Sequence, residues 1–160
     1  MKKLIIIVFV ICFINILYSN GYSKENVSGY WKTFNIKSKQ PEAIVKIYAR
    51  GGLLYGKIIE LSQEKINELK RINEFPPKCR KCKGKFKDQD IIGLNFVYDL
   101  KNEGNIWVDG KIIDPETGKI YKAKIWVDSK DSKKLMVRVY LGPFYKTQIW
   151  KRVDNKSIEN

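Results

Sequence analysis

Residues 119–141, KIYKAKIWVDSKDSKKLMVRVYL, decide the fold of this chain. Apolar and polar side chains alternate from Tyr121 to Val127, and the same alternation returns from Leu135 to Leu141. A period of two residues is typical of strands with one buried face and one wetted face. A polar segment separates the two runs, so this stretch predicts an antiparallel hairpin.

The same pattern extends along the chain from Gly29 onward. Short β-branched and aromatic runs are separated by turn residues, and connections this short imply antiparallel neighbours. The sequence therefore predicts an all-β fold, an antiparallel up-and-down barrel of about eight strands, with an open sandwich as the alternative. The candidate strands cover residues 29–35, 43–50, 53–61, 93–100, 105–113, 119–128, 133–141 and 146–153.

The segment between the third and fourth strands has a different period. Apolar residues recur there at helical spacing after Ser62, a residue type that caps helix N-termini. We predict one short amphipathic helix over 62–74 that covers a sheet edge or a barrel mouth and is stopped by Pro76-Pro77. The next stretch, 78–90, is predicted to be a loop. The helical apolar residues are Ile66, Leu69 and Ile72.

The N-terminus has the composition of a secretory signal peptide. Lys2 and Lys3 precede an apolar run over 4–17, which is shorter than the 18 or more residues that cross a bilayer. We predict cleavage of residues 1–21, with an uncleaved membrane anchor as the alternative. Cleavage lowers the net charge from +14 to +12, because two lysines and no acids are lost.

Export sets the expected domain organisation and compartment. We predict a single β-barrel domain over 22–154 and a flexible tail over 155–160. The product is expected to be periplasmic, or secreted if the cell has no outer membrane. Export also argues against a nucleic-acid partner, although a basic chain rich in aromatic residues would otherwise suggest one.

Composition excludes several kinds of chemistry. The 160 residues are 44% hydrophobic, too many for a disordered chain, and include no histidine. The missing histidine removes Ser-His-Asp and Cys-His nucleophiles and the HExxH metal site. Asp114 precedes Pro115 and is interpreted as a turn residue, with a general base as the alternative. We predict no enzyme activity, no cofactor and no metal.

Two cysteines remain after the predicted cleavage, Cys79 and Cys82. In an oxidising compartment, the Cys-x-x-Cys spacing favours a local disulfide that pins a loop. Redox activity of the thioredoxin kind needs a helix N-terminus after the first cysteine. A zinc site needs two further Cys or His ligands. We therefore favour the disulfide over these two alternatives.

Positive charge is concentrated in residues 70–87, which we call the basic loop. It holds eight basic residues against Glu74 alone. Such a segment suits docking on anionic lipid or an anionic envelope polymer, which makes an envelope adaptor one functional hypothesis. A merely solvated loop is the other interpretation. The basic residues are Lys70, Arg71, Lys78, Arg80, Lys81, Lys83, Lys85 and Lys87.

The order and spacing of several short motifs resemble the exported bacterial domain-of-unknown-function family 2147, whose members are lipocalin-like. The resemblance implies a small exported barrel and carries over no established biochemical activity. The matching segments are residues 29–33, 52–58, 79–82, 92–94, 107–115, 118–121, 135–142 and 147–152.

The resemblance also implies a pair of residues at the barrel floor. Gly29-Tyr30-Trp31 is similar to the Gly-x-Trp that opens lipocalin barrels, in which a late-strand Arg commonly lies across the Trp. Arg152 is the matching candidate and would gain a cation–π contact with Trp31. The alternative is that Trp31 is an ordinary core residue. Either way, the pair serves stability.

A barrel of about eight strands either holds one small ligand or is filled by its own side chains. The sequence leaves both open. The first possibility predicts a monomeric, non-enzymatic carrier of a small apolar or amphipathic molecule such as a lipid. The aromatic residues on central strands that are candidates to line the interior are Phe96, Tyr98, Tyr121, Trp126 and Tyr140.

Overall fold

A computed structural model describes residues 26–154 of the chain, so the predicted signal peptide and tail lie outside the described residues. Eight antiparallel strands pair in sequence order and close into a barrel, which confirms the predicted all-β fold and excludes the open sandwich. The strands are β1 (Gly29–Phe34), β2 (Pro41–Arg50), β3 (Leu53–Leu61), β4 (Asn95–Glu103), β5 (Ile106–Ile113), β6 (Ile120–Asp128), β7 (Asp131–Leu141) and β8 (Phe144–Val153).

Up-and-down connectivity places successive connections at alternate ends of the barrel. We call the end with the short turns the floor end and the opposite end the mouth end. The floor end carries turns 51–52, 104–105 and 129–130. The mouth end carries connections 35–40, 62–94, 114–119 and 142–143.

The alternation predicted for β6 and β7 is confirmed. Ala123, Ile125 and Val127 are buried on β6, and they pair with Val139, Val137 and Leu135 of β7. Directly opposed residues of an antiparallel pair lie on the same face of the sheet. The two strands therefore present one continuous apolar face to the barrel interior.

Large side chains fill the floor half of the barrel. Six of them have an exposed fraction of 0%. The packing is tight enough to require glycine at Gly110, where a Cβ would come within 2.6 Å of Leu100 Cδ1. The interior beside these residues therefore has no room for a ligand. The six are Trp31, Ile47, Leu54, Leu100, Ile125 and Leu135.

The predicted helix is present as α1 (Gln63–Arg71). Ser62 caps it, since its Oγ accepts a hydrogen bond of 3.1 Å from the Lys65 backbone N–H. The helix ends earlier than predicted and is not stopped by the prolines. Asn73 takes a left-handed conformation with φ of 56°, and the Glu74 N–H donates to the Leu69 carbonyl at 2.9 Å, which closes the last turn.

A short ladder closes the barrel between its first and last strands. β1 and β8 pair through Tyr30 with Val153, Trp31 with Arg152, and Lys32 with Lys151. We call this ladder the seam. Within residues 26–154, no helix is long and apolar enough to cross a membrane.

Candidate ligand site at the mouth of the barrel

Two aromatic rings meet across the barrel interior. Phe96 comes from β4 and Trp150 from β8, strands on opposite sides of an eight-stranded barrel. Their ring centroids lie 6.0 Å apart, and both side chains are buried. A contact between opposite walls leaves no passage between them. The pair, which we call the plug, separates the filled floor half from the mouth half.

Beyond the plug, three inward-facing side chains on β6 to β8 are partly exposed. Tyr121 on β6, Val139 on β7 and Gln148 on β8 share the inward face with buried neighbours, yet each retains exposed surface. The Trp150 indole N–H donates to Gln148 Oε1 at 3.0 Å, so the plug has one polar contact on its mouth side. The mouth half therefore combines apolar walls with an amide and a phenol.

The helix covers part of the mouth end. Ser62 ties its start to β2, because the Ser62 hydroxyl donates to the Pro41 carbonyl at 2.8 Å. Leu69 of α1 is buried in the core cluster. On the outer side, Lys65 forms ion pairs with Glu68 and with Glu116, which lies in connection 114–119. The helix thus joins two separate loops of the mouth end.

Electrostatics favour the charged form of Lys65. Partial burial lowers its pKa, but hydrogen bonds and attraction from Glu116 and Glu68 outweigh that effect, so the pKa is raised above 10.5. The folded protein holds this proton more tightly than the unfolded chain does. The contact therefore contributes stability below pH 10.5 and loses it as the pH rises through the folded pKa.

The predicted disulfide between Cys79 and Cys82 is present, and both residues are buried. Cys79 Sγ lies 3.7 Å from the Pro115 carbonyl oxygen. At Gly118, a Cβ would meet the Lys81 backbone and come within 2.9 Å of the Cys82 nitrogen. The disulfide loop is therefore seated on connection 114–119. We call α1, this loop and that connection together the lid.

No metal site accompanies the cysteines. Across residues 26–154, no three His, Cys, Asp or Glu side chains are grouped so that they hold a metal ion. Asp114 acts within its own turn, where its carboxylate accepts hydrogen bonds from the Glu116 N–H at 2.9 Å and the Thr117 hydroxyl at 2.6 Å. This geometry is that of an Asx turn.

At the floor end, Arg152 lies over Trp31. The guanidinium carbon is 4.0 Å from the centroid of the Trp31 ring, and the Trp31 indole N–H donates to the Val27 carbonyl at 2.9 Å. Arg152 also donates to the carbonyls of Asn26 at 2.7 Å and Ser28 at 3.2 Å. The contacts link β8 to the segment that precedes β1.

The candidate lining residues divide between the two faces of the barrel wall. Phe96 and Tyr121 face inward. Tyr98 faces outward, where its ring packs 5.5 Å from the Phe86 ring. Tyr140 and Trp126 alternate with buried neighbours and also face outward. The structure therefore brings only part of the expected set to the interior.

The basic loop is less positive than its sequence indicates, because acids follow it directly. Lys78 pairs with Asp90 at 3.1 Å, and Lys87 approaches Asp88 at 3.8 Å. The Lys85 ammonium lies 5.1 Å from the Phe86 ring centroid. Several of its cations thus have local partners, which reduces the field that the loop presents to an anionic surface.

A depression on the outer wall has no counterpart among the features predicted from the sequence. A cavity of about 260 Å³ opens there between strands β2 to β4 and the 3₁₀ turn Gly84–Phe86. Its polar groups satisfy one another, since the Tyr48 hydroxyl donates to Asn95 at 2.9 Å and the Tyr55 hydroxyl to Asp99 at 3.2 Å. The lining residues are Tyr48, Arg50, Tyr55, Lys85, Phe86, Asn95, Tyr98 and Asp99.

Burial and the Asp99 charge affect the tyrosines of this depression. Desolvation, followed by the hydrogen bond and the charge of Asp99, raises the pKa of Tyr55 above its usual value. Desolvation and Asp99 raise the pKa of Tyr98 as well. Both phenols therefore stay protonated at neutral pH, and the Tyr55 hydroxyl donates to Asp99. The only sequence signal for this feature was the row of tyrosines on wetted strand faces.

The fold and the covered mouth define a class: this is a lipocalin-like β-barrel. More particularly, the chain belongs to the family of uncharacterised proteins conserved in bacteria called DUF2147, whose model matches residues 29–152. A solved structure of protein HP1028 from the human pathogen Helicobacter pylori, described as belonging to the lipocalin family, is similar. It shares 18% sequence identity with a TM-score of 0.66, and the match covers 84% of this chain and 87% of that chain. No curated protein matches this chain significantly.

Proposed function

We propose that this protein is a non-enzymatic carrier that binds a small amphipathic molecule, such as a short-chain lipid, in the mouth half of its barrel. One observation carries the proposal. The plug of Phe96 and Trp150 crosses the interior, and Tyr121, Val139 and Gln148 keep exposed surface beyond it on β6 to β8. A concave, mainly apolar site with a few polar groups is the usual form of a small-molecule site.

The chemistry of the mouth half limits the ligand. Val139 and the plug rings suit an apolar group, while the Gln148 amide and the Tyr121 hydroxyl suit a polar head. The plug blocks the floor half, so a long acyl chain has no room to enter the barrel completely. A molecule with a short apolar part and a hydrogen-bonding head fits this description.

Export supports the same role. The Cys79–Cys82 disulfide, the bacterial family and the signal-like N-terminus all favour an oxidising compartment, for which we propose the periplasm. An envelope adaptor acting through the basic loop has less support, because Asp88 and Asp90 offset part of the charge of that loop. The carrier is therefore the preferred function.

A pair of neighbouring substitutions tests the carrier. Val139→Trp would fill the mouth half from β7, while Tyr140→Trp places the same side chain one residue along, on the outer face. Native mass spectrometry with dodecanoate should detect a one-to-one complex for the parent and for Tyr140→Trp. For Val139→Trp, we expect binding at least about tenfold weaker, because the site is occupied.

Thermal unfolding of both variants is the control for folding. Lipid extraction of the protein purified from its own periplasm should identify the natural ligand. Equal binding by the two folded variants would contradict the mouth as the site, and a parent protein that binds no amphipathic molecule would contradict the carrier itself.

A further inference from the structure

Exposed apolar side chains are confined almost entirely to one end of the barrel. In the described part of the chain, nine large hydrophobic residues are exposed, and eight of them lie at the mouth end. The ninth, Ile149, lies on the β8 wall. The three turns of the floor end carry none. The eight are Ile36, Ile72, Phe75, Ile92, Ile120, Leu141, Phe144 and Tyr145.

The β7–β8 connection is the most exposed part of this set. Leu141 and Phe144 are opposite each other across the two-residue turn, and Phe144 is 73% exposed. Tyr145 follows and is 59% exposed. We call residues 141–146 the hairpin tip. Because β1 pairs only with residues 151–153 of β8, the tip extends past the end of this neighbouring strand.

The charge around the hairpin tip has one sign. Residues 132–153 contain no Asp or Glu. Three lysines lie at the same end of the barrel: Lys119 in connection 114–119, Lys122 on β6 and Lys146 on β8. Connection 114–119 also holds two acids, but Glu116 pairs with Lys65 of the helix and Asp114 accepts hydrogen bonds within its own turn. The hairpin side therefore combines apolar side chains with an excess of positive charge.

We propose that the hairpin tip docks the mouth of the barrel onto an anionic lipid bilayer. Apolar side chains gain free energy by entering the boundary between headgroups and acyl chains. Lysines close to the surface add attraction to anionic headgroups. This docking does not depend on the interior ligand, but it would bring the mouth half to the surface from which an amphipathic molecule is taken or delivered.

A bilayer fits this surface better than a soluble polyanion does. An anionic polymer would pair with the lysines, but it offers no apolar phase for Leu141 and Phe144. Exposed aromatic and aliphatic residues at a projecting turn, with cations beside them, match the layered chemistry of a membrane interface. The basic loop also exposes two apolar residues, Ile72 and Phe75, but they are less exposed than Phe144, and Asp88 and Asp90 offset part of the charge of that loop.

Vesicle binding by matched variants tests the proposal. The parent should sediment with vesicles of phosphatidylglycerol and phosphatidylcholine and bind vesicles of phosphatidylcholine alone much more weakly. The double variant Leu141→Ser, Phe144→Ser should bind at least about tenfold more weakly than the parent. Ile149→Ser, which removes the exposed apolar residue of the wall, should bind like the parent.

Tryptophan fluorescence shows which end of the barrel contacts the bilayer. Phe144→Trp should shift its emission to the blue on anionic vesicles and be quenched by lipids brominated in their acyl chains. Lys130→Trp, in a turn of the floor end, should show neither effect. Native mass spectrometry of the parent with dodecanoate, run beside vesicle sedimentation of the parent, measures the two kinds of binding separately, so failure of the interior site is distinguished from failure of docking.

Three results would overturn the proposal. The first is a parent that binds no anionic vesicle at low salt. The second is loss of binding in a variant with Lys81, Lys83, Lys85 and Lys87 changed to Gln, together with full binding by the tip double variant. The third is a dimer, detected by light scattering, that the tip substitutions dissolve, since the occupant of the tip would then be a second copy of the chain.

Discussion

At the scale of single residues, Arg152 has an unusual concentration of contacts. Its guanidinium stacks on Trp31, and its N–H groups reach carbonyls that precede β1 and one that follows the β6–β7 turn, at Ser132. The planar guanidinium of arginine has several N–H donors that point in different directions and suits this arrangement, whereas the ammonium of lysine has one donor nitrogen. One side chain thereby connects three segments of the floor end.

Substitution of Arg152 should therefore be costly. We expect Arg152→Ala to lower the free energy of unfolding by about 2–3 kcal/mol, from the cation–π contact and the charged hydrogen bonds to the backbone. Arg152→Lys should recover less than half of the loss. Urea denaturation measures both, and Lys101→Ala, at an exposed site, should stay within about 0.5 kcal/mol of the parent. An Arg152→Ala variant as stable as the parent would show that the contacts of Arg152 with Trp31 and the backbone do not stabilise the fold.

Glu42 gives a pH-dependent prediction. Partial burial of the Glu42 carboxyl raises its pKa above 4.5. The hydrogen bond from Asn35 at 2.9 Å and the attraction of Lys65 lower the pKa, but by less than burial raises it. The folded state then binds the proton more tightly than the unfolded state. The contribution of Glu42 to stability therefore falls as the pH rises from about 4.5 through the folded pKa.

We expect Glu42→Gln to be at least as stable as the parent at about pH 7, because the amide oxygen still accepts from Asn35 without the cost of burying a charge. Its stability should also depend less on pH between about pH 4 and 7. Urea denaturation at several pH values checks this. A steeper pH dependence in the variant would contradict the sign of the effect.

At the scale of elements, the lid depends on close backbone contact between the disulfide loop and connection 114–119. Gly118 and Gly104 both have left-handed backbones, with φ of 70° and 69°. They differ in their surroundings, since nothing lies within 4 Å of a Cβ at Gly104, whereas one at Gly118 would collide with the backbone of Lys81. The two glycines form a matched pair for testing the contact.

Gly104→Ala should lower the free energy of unfolding by about 1–2 kcal/mol, which is the cost of a left-handed backbone at an alanine. Gly118→Ala should cost at least about 2 kcal/mol more, because the alanine must also displace the disulfide loop. Chemical denaturation gives the difference. The rate at which a reductant opens the Cys79–Cys82 bond should rise only in Gly118→Ala. Equal costs for the two variants would mean that the loop is not seated on this connection.

The strands could be predicted from the sequence because each has a buried and a wetted face, and that difference appears directly as a period of two. The prediction of Tyr98 as an interior residue failed at an interruption of this period. Phe96 and Val97 are both buried, and the pairing of β4 with β3 shifts register around Gly56. Such an irregularity reverses the faces beyond it and has no clear sequence signal.

At the scale of the whole molecule, closure was predictable, because eight short strands with short connections leave few other arrangements. The position of the lid on the barrel could not be predicted from the sequence. The helix and the disulfide loop meet a connection that lies on the far side of β4 and β5 in the sequence, and Lys65 reaches Glu116 there. Local patterns carry no information about such distant contacts, so the plug and the covered mouth emerged only from the structure.

The seam has a consequence for how the chain folds. The strand pair that closes the barrel joins residues 30–32 to residues 151–153, so closure must wait until the chain has been synthesised through residue 153. Until then β1 and the most recently formed strand both present unpaired edges, which are sites of aggregation. Contacts so distant along the chain also form slowly. A truncation that removes only the end of β8 would therefore leave the sheet open permanently, with both of its edges unpaired.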